Sequence, residues 1–410
     1  MKKVWKMSLL LVVAVVLASC DKLGGGSDAG YQINYFAFQE EEGEPWGFMD
    51  FEGKVIVKPR FDEMPSCAVG DRFVVSDPDG NYDLYTLEAK PRKIGSYDNV
   101  GSFTGKYCPV KDKKGNIKYI DKEGKDAFSM KEVSKKTVTA AFNFFCGRAM
   151  VRTEDGKWGY IDESGKPVIP IKYYDAWNFA EGLAIVYHGD DGDPDNKWSV
   201  IDTDGNEVFS KKFGECKPSN FRFYGEYLVV LNDAERSIVL NRKGETVKKL
   251  KEDVFVGAIY DGMFTTYDSE EEKFGLMNVN GEQVIKSKFE ALNYNGKLLV
   301  GATAEKKPFV LNKEGEKVTK LPEGYTVLFD PEYAGHANRM LVGSYEDGYV
   351  LCDTEGNTIK MGANIHDYSI GYNWGFMDSE DEEDYDDGDY EEEEYDEESE
   401  EGEESEEGEE

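Results

Sequence analysis

The stretch Lys157-Trp158-Gly159-Tyr160-Ile161-Asp162-Glu163-Ser164-Gly165-Lys166-Pro167-Val168-Ile169-Pro170 decides how the rest of the chain is read. Tyr160 and Ile161 stand side by side before Asp162. Adjacent positions on a strand face opposite ways, so an apolar pair predicts a strand buried on both faces. Asp162 to Gly165 fits a three-residue hairpin loop, in which a type I turn is followed by a residue at positive φ. Glycine takes that conformation without steric cost, and an Asp at the start can accept hydrogen bonds from the backbone ahead of it. Val168-Ile169 then reads as a second short strand.

The same turn recurs along the chain. It begins at Asp50, Asp121, Asp162, Asp202, Asn241, Asn278, Asn312 and Asp353, and its glycines (Gly53, Gly124, Gly165, Gly205, Gly244, Gly281, Gly315, Gly356) are 71, 41, 40, 39, 37, 34 and 41 residues apart. The first gap is nearly double, and a degenerate copy around Tyr82 to Lys90 fits inside it. Nine units result, each with an apolar pair, the turn, a short second strand, an irregular stretch containing aromatic residues, and a third strand such as Leu183 to Val186. A fixed period of this size signals a repeat architecture.

Trp158-Gly159, with Tyr174-Asp175-Ala176 and Phe179-Ala180-Glu181-Gly182-Leu183 downstream, closely resembles a WG-containing repeat. Trp46-Gly47-Phe48-Met49-Asp50 is a second good match, and Phe274-Gly275 a relaxed one. Trp198-Ser199 keeps the tryptophan and loses the glycine. The resemblance spans most of residues 44–377. It implies an architecture and an interaction role in a bacterial protein, with no catalytic residues to carry over.

Three short strands cannot bury both faces alone, so neighbouring units must cover them. The expected fold is all-β: tandem WG-type repeats forming a β-propeller-like ring or arc. An open β-solenoid is the alternative. Two readings of the ends stay open. Tyr31 to Phe38 and Trp374 to Met377 complete one blade from both termini, or Trp374 to Met377 is the third strand of the ninth unit.

Residues 1–19 read as a signal peptide: Lys2, Lys3 and Lys6, then an apolar run from Met7 to Val16 too short for a permanent span. Leu17-Ala18-Ser19-Cys20 resembles a lipobox, which implies cleavage before Cys20 and its lipidation. Residues 20–30, with Gly24-Gly25-Gly26-Ser27, form a flexible tether. This places the chain at the cell envelope, anchored to a membrane, with the outer membrane expected and its face undetermined. Five cysteines remain (Cys67, Cys108, Cys146, Cys216, Cys352); an odd number without a C-x-x-C reads first as buried small hydrophobes.

Residues 31–377 hold the repeats, and residues 378–410 form an acidic tail: 24 Asp or Glu, no Lys or Arg, and Tyr385, Tyr390 and Tyr395. Such a composition is expected to remain disordered. The formal net charge is −35, of which −11 remains without the tail, and this excludes a general affinity for nucleic acid.

Candidate chemistry is sparse. His188, His336 and His366 fall in different units, and no phosphate loop, nucleophile elbow or zinc-binding helix motif occurs. Asp191, Asp193 and Asp195 alternate as in the first half of a Ca²⁺ loop, with Asn196 where glycine is required; they are a weak Ca²⁺ candidate beside the reading as a solvated loop. No other cofactor is called for. Trp177 and Tyr224 read as packing aromatics, with stacking on a sugar as the alternative. The function expected is a non-catalytic scaffold for a protein partner. A glycan- or small-ligand-binding lipoprotein and a propeller-type hydrolase are the other two readings.

Overall fold

A computed structural model describes residues 34–369 and 375–377, apart from 220, 252–253, 295, 297–298, 303–307, 313, 322–325, 329–338, 345–346 and 354. The described residues contain no helix, and their strands form nine antiparallel sheets that succeed one another along the chain. Blade 5 shows the full pattern: Asp175–Ala176, Leu183–Tyr187, Lys197–Asp202 and Glu207–Lys212, paired in that order. The first strand lies in the stretch read from sequence as irregular and is only two residues long in blades 3, 5 and 6, so these blades have four strands where three were expected; among the described residues the second and ninth sheets have three. Two residues carry no periodicity to reveal them. The first strand is the sheltered edge, with Val100 at 0% and Ala176 at 4% exposure; the fourth is the exposed edge, as in Asp126–Ser129.

Each sheet stacks on the next, and one strand serves two neighbours. In Tyr35–Gln39 of blade 1, Ala37 packs with Phe73 and Val75 of blade 2. Its neighbours Phe36 and Phe38 pack with Leu341 and Leu351 of blade 9. This two-sided burial follows from strand alternation and accounts for the apolar pairs in the sequence. Between blades 4 and 5 the contact is aromatic: Tyr160 meets Phe179 at 4.8 Å, and its hydroxyl donates to the Trp177 carbonyl oxygen at 2.6 Å.

The ring closes. Asp367–Ser369 pairs antiparallel with Tyr35–Gln39 and supplies the first strand of blade 1. Arg339 of blade 9 reaches Glu52 in the blade 1 turn at 2.9 Å. The architecture is therefore a nine-bladed, propeller-like ring; the open solenoid is set aside by the contact of blade 9 with blade 1. Both termini do build one blade, but with a different C-terminal segment from the one expected. Trp374 lies outside the described residues, and Gly375–Met377 pairs with Lys136–Phe145 of blade 4, so it neither completes blade 1 nor extends blade 9.

The repeat turn behaves as its chemistry dictates. The Asp162 Oδ1 atom accepts from the backbone N–H of Ser164 and Lys166 at 2.8 and 3.0 Å, and Gly165 has φ 77°. Near its start, the last strand of each of blades 1 to 8 (the fourth, or the third in blade 2) has one residue without a partner on the strand before it. That residue is Ile56, Ile94, Ala127, Val168, Val208, Val247, Val284 or Val318 in blades 1 to 8. A bulge of this kind twists an edge strand and spoils it as a template for another chain.

Candidate binding surface

The motif residues are occupied inside the fold. Trp46, Trp158 and Trp198 are 6, 5 and 0% exposed, and the Trp198 indole N–H donates to the Cys216 carbonyl oxygen at 2.7 Å. Asp50, Asp162 and Asp202 each hold a hairpin loop through Oδ1, with Gly53, Gly165 and Gly205 at φ 80°, 77° and 81°.

The motif glycine has a separate purpose. A β-carbon on Gly47 would sit 2.6 Å from the Val57 carbonyl oxygen; on Gly159, 2.7 Å from that of Pro170; on Gly275, 2.7 Å from that of Ile285. In these three blades the fourth strand arches over the glycine and the pairing skips, from Trp46↔Phe61 to Phe48↔Val57, for example. Lys118, Ser199, Ile238 and Phe309 stand at the same position in blades 3, 5, 6 and 8, and there the pairing runs through in register. Glycine thus permits a second bulge, and a side chain forbids it.

Ser199, in place of that glycine, is 0% exposed and must satisfy a buried hydroxyl. Its Oγ lies 2.8 Å from His188 Nε2 and donates to Glu207 Oε2 at 2.8 Å. Lys197 Nζ bonds the same carboxylate at 3.0 Å. The Lys197 and Ser199 bonds hold the Glu207 carboxyl below its ordinary range. Burial, with Lys197 nearby, lowers the His188 imidazole. A nucleophilic triad needs the imidazole between hydroxyl and carboxylate; here the hydroxyl is in the middle and sealed from solvent. Sequence reading missed this group because its members are eight to eleven residues apart on paired strands.

Asp191, Asp193 and Asp195 are not brought together. Asp195 pairs with Lys212 at 2.9 Å and Asp191 with Lys217 at 4.0 Å, while Asp193 Oδ1 accepts the Asp195 N–H at 2.9 Å. Among the described residues no group of three or more His, Cys, Asp or Glu is placed to hold a metal. Cys67, Cys108, Cys216 and Cys352 are buried free thiols, and burial pushes the Cys216 thiol up to about 11. Tyr224 is core at 4% exposure, and Trp177 is half-buried, stacked on Phe221 with ring centroids 4.4 Å apart. Cys20 and His336 lie outside the described residues.

What remains accessible is the outer wall formed by the fourth strands. Eight of them carry twelve Lys or Arg against two acidic residues. The two acids, Asp126 and Glu207, are paired to Lys118 and Lys197. Between the lysines the bulge residues Val168, Val208, Val284 and Val318 stand 37, 41, 37 and 57% exposed. The excess of Lys and Arg in these short strand sequences was the available signal; the outward direction of the fourth strand was not readable.

Two segments, residues 46–66 and 158–190, match the family model of the WG containing repeat. They fall in blade 1 and across blades 4 and 5, and they support the WG-repeat reading of the sequence. Among solved structures, a crystal structure of the eukaryotic initiation factor superposes with a TM-score of 0.51 at 12% identity, over 82% of this chain and 96% of that one. At such identity the likeness speaks for the fold alone. Dihydro-heme d1 dehydrogenase NirN in complex with DHE aligns at TM-score 0.42 and 15% identity, over 88% of this chain and 80% of that one. BamB from Moraxella catarrhalis aligns at 0.34 and 13%, over 72% and 92%. No curated protein matches the chain significantly.

Proposed function

We propose that this chain is an exported, lipid-anchored and non-catalytic repeat scaffold that holds a protein partner at a bacterial cell envelope. One observation carries the scaffold reading. The residues that recur, such as Trp158, Gly159, Asp162 and Gly165, are consumed by packing and turns, so the repeat specifies a rigid ring and leaves the exposed positions free to differ between blades. The glycan reading loses its support from Tyr224, which is core, and from Trp177, which is stacked within the structure. The anchor reading rests on the Leu17 to Cys20 sequence and places the thiol of Cys20 under lipid. More than one acyl chain is needed for stable anchoring.

Two measurements test this. Mass spectrometry of the mature N-terminus should find chain beginning at a lipid-modified Cys20; an uncleaved leader, or a Cys20 thiol held in a disulfide, overturns the anchor. Cross-linking in cells with a tag after Glu410, read in intact and then permeabilised cells, should trap a discrete protein adduct. Signal before permeabilisation puts the tagged end outside the cell, and signal only afterwards puts it in the periplasm. No adduct in either condition overturns the scaffold.

A further inference from the structure

We infer that the outer wall of the ring is a docking surface for an acidic, tyrosine-bearing peptide segment of a partner. This deepens the scaffold reading and rests on it. Three observations combine. The wall is basic in a chain whose net charge is −35, and its two acids are already neutralised by lysines of the third strand. Lys249, Lys286 and Lys288 of blades 6 and 7 are exposed and enter no ion pair among the described residues. Exposed valines such as Val284, beside Lys286 and Lys288, offer apolar footholds next to the charge, suited to a tyrosine ring. Charge complementarity therefore selects an anionic chain, and the valines favour one with aromatic side chains over a bare polyanion.

The bulges also specify how such a segment binds. They withdraw each fourth strand from regular backbone pairing, so strand addition is disfavoured and recognition falls to side-chain charge. Binding of that kind weakens with salt and tolerates reordering of the peptide sequence.

The test uses the full chain and a labelled synthetic peptide with the sequence of residues 378–410, followed by fluorescence anisotropy, and in parallel a full chain whose residues 378–410 carry Asn and Gln for Asp and Glu; peptide binding seen only with that second chain means that the wall is held by the chain's own segment and overturns the partner assignment. Binding at about 50 mM salt should weaken about tenfold or more by about 300 mM. A scrambled peptide should bind equally, and a variant peptide with serine in place of its three tyrosines should bind less. Combined Lys249→Glu, Lys286→Glu and Lys288→Glu should reduce affinity about tenfold, while Lys106→Glu, Lys113→Glu and Lys114→Glu, exposed but outside the fourth strands, should leave it unchanged. If the glutamate variant misfolds, the glutamine variant at the same three positions replaces it. Absence of binding, equal loss in both sets, or indifference to the wall substitutions overturns the inference. A partner trapped by cross-linking alongside any of those results would leave the scaffold reading standing and sink only this one.

Discussion

A β-carbon on Gly159 would lie 2.7 Å from the carbonyl oxygen of Pro170, closer than such atoms can approach. Gly159→Ala must therefore push back the arch of the fourth strand over its neighbour. Overpacking of this sort costs about 1–3 kcal/mol. Thermal unfolding should show a clear fall in Tm. An unchanged Tm would mean that the arch is not constrained by the glycine.

The turn carboxylates are predicted to act as acceptors and not as charges. Asp162→Ala removes bonds from Ser164 and Lys166 and should cost about 1–2 kcal/mol. Asp162→Asn should cost much less, because Asn241 performs the same task through Oδ1 for Lys243 and Glu245. Equal losses in the two variants, measured by denaturant unfolding, would contradict this.

Ring closure has an apolar part and an ionic part, and the apolar part should dominate. Phe38 is fully buried between blades 1 and 9, so Phe38→Ala should cost about 3–5 kcal/mol. Arg339 meets an exposed Glu52, and exposed pairs contribute about 0–1 kcal/mol, so Glu52→Gln should be nearly silent. Hydrogen exchange at Asp367–Ser369 should accelerate in the first variant and stay unchanged in the second.

Asp175 gives a pH signature. Burial raises its carboxyl to about 6, against the hydrogen bond from the Ala176 N–H and the nearby charge of Arg152, which lower it. Its folded pKa exceeds its unfolded value, so the folded state holds the proton more tightly. The associated stability is present below about pH 4 and is lost as pH rises through about 6. Asp175→Asn should therefore raise Tm at pH 7.5, by the equivalent of about 1–3 kcal/mol, and change it little at pH 4. A gain that is the same at both pH values would refute the assignment.

Much of the ring was legible from local pattern. The apolar pairs before Asp162 and Asp202, and the positive φ reserved for glycine, are properties of a few consecutive residues, so eight turns and their flanking strands could be read directly. The two-residue first strands could not, since Asp175–Ala176 has no period and is held by partners on Leu183–Tyr187. The hydrogen-bonded group around Ser199 was equally hidden, because it depends on which side chains meet across paired strands.

By itself the sequence determined the repeat, the turn chemistry, the two-sided burial and the concentration of negative charge after Met377, all of them set by neighbours along the chain. Tertiary structure alone decided that nine blades close, through contacts such as Phe38 with Leu351 that join residues some 300 positions apart. It also decided that the fourth strands face outward and gather their lysines on one wall. The physical reason is that closure and outwardness depend on how each sheet is rotated against the next. That rotation is fixed by the packing of whole faces, and no short run of residues encodes it.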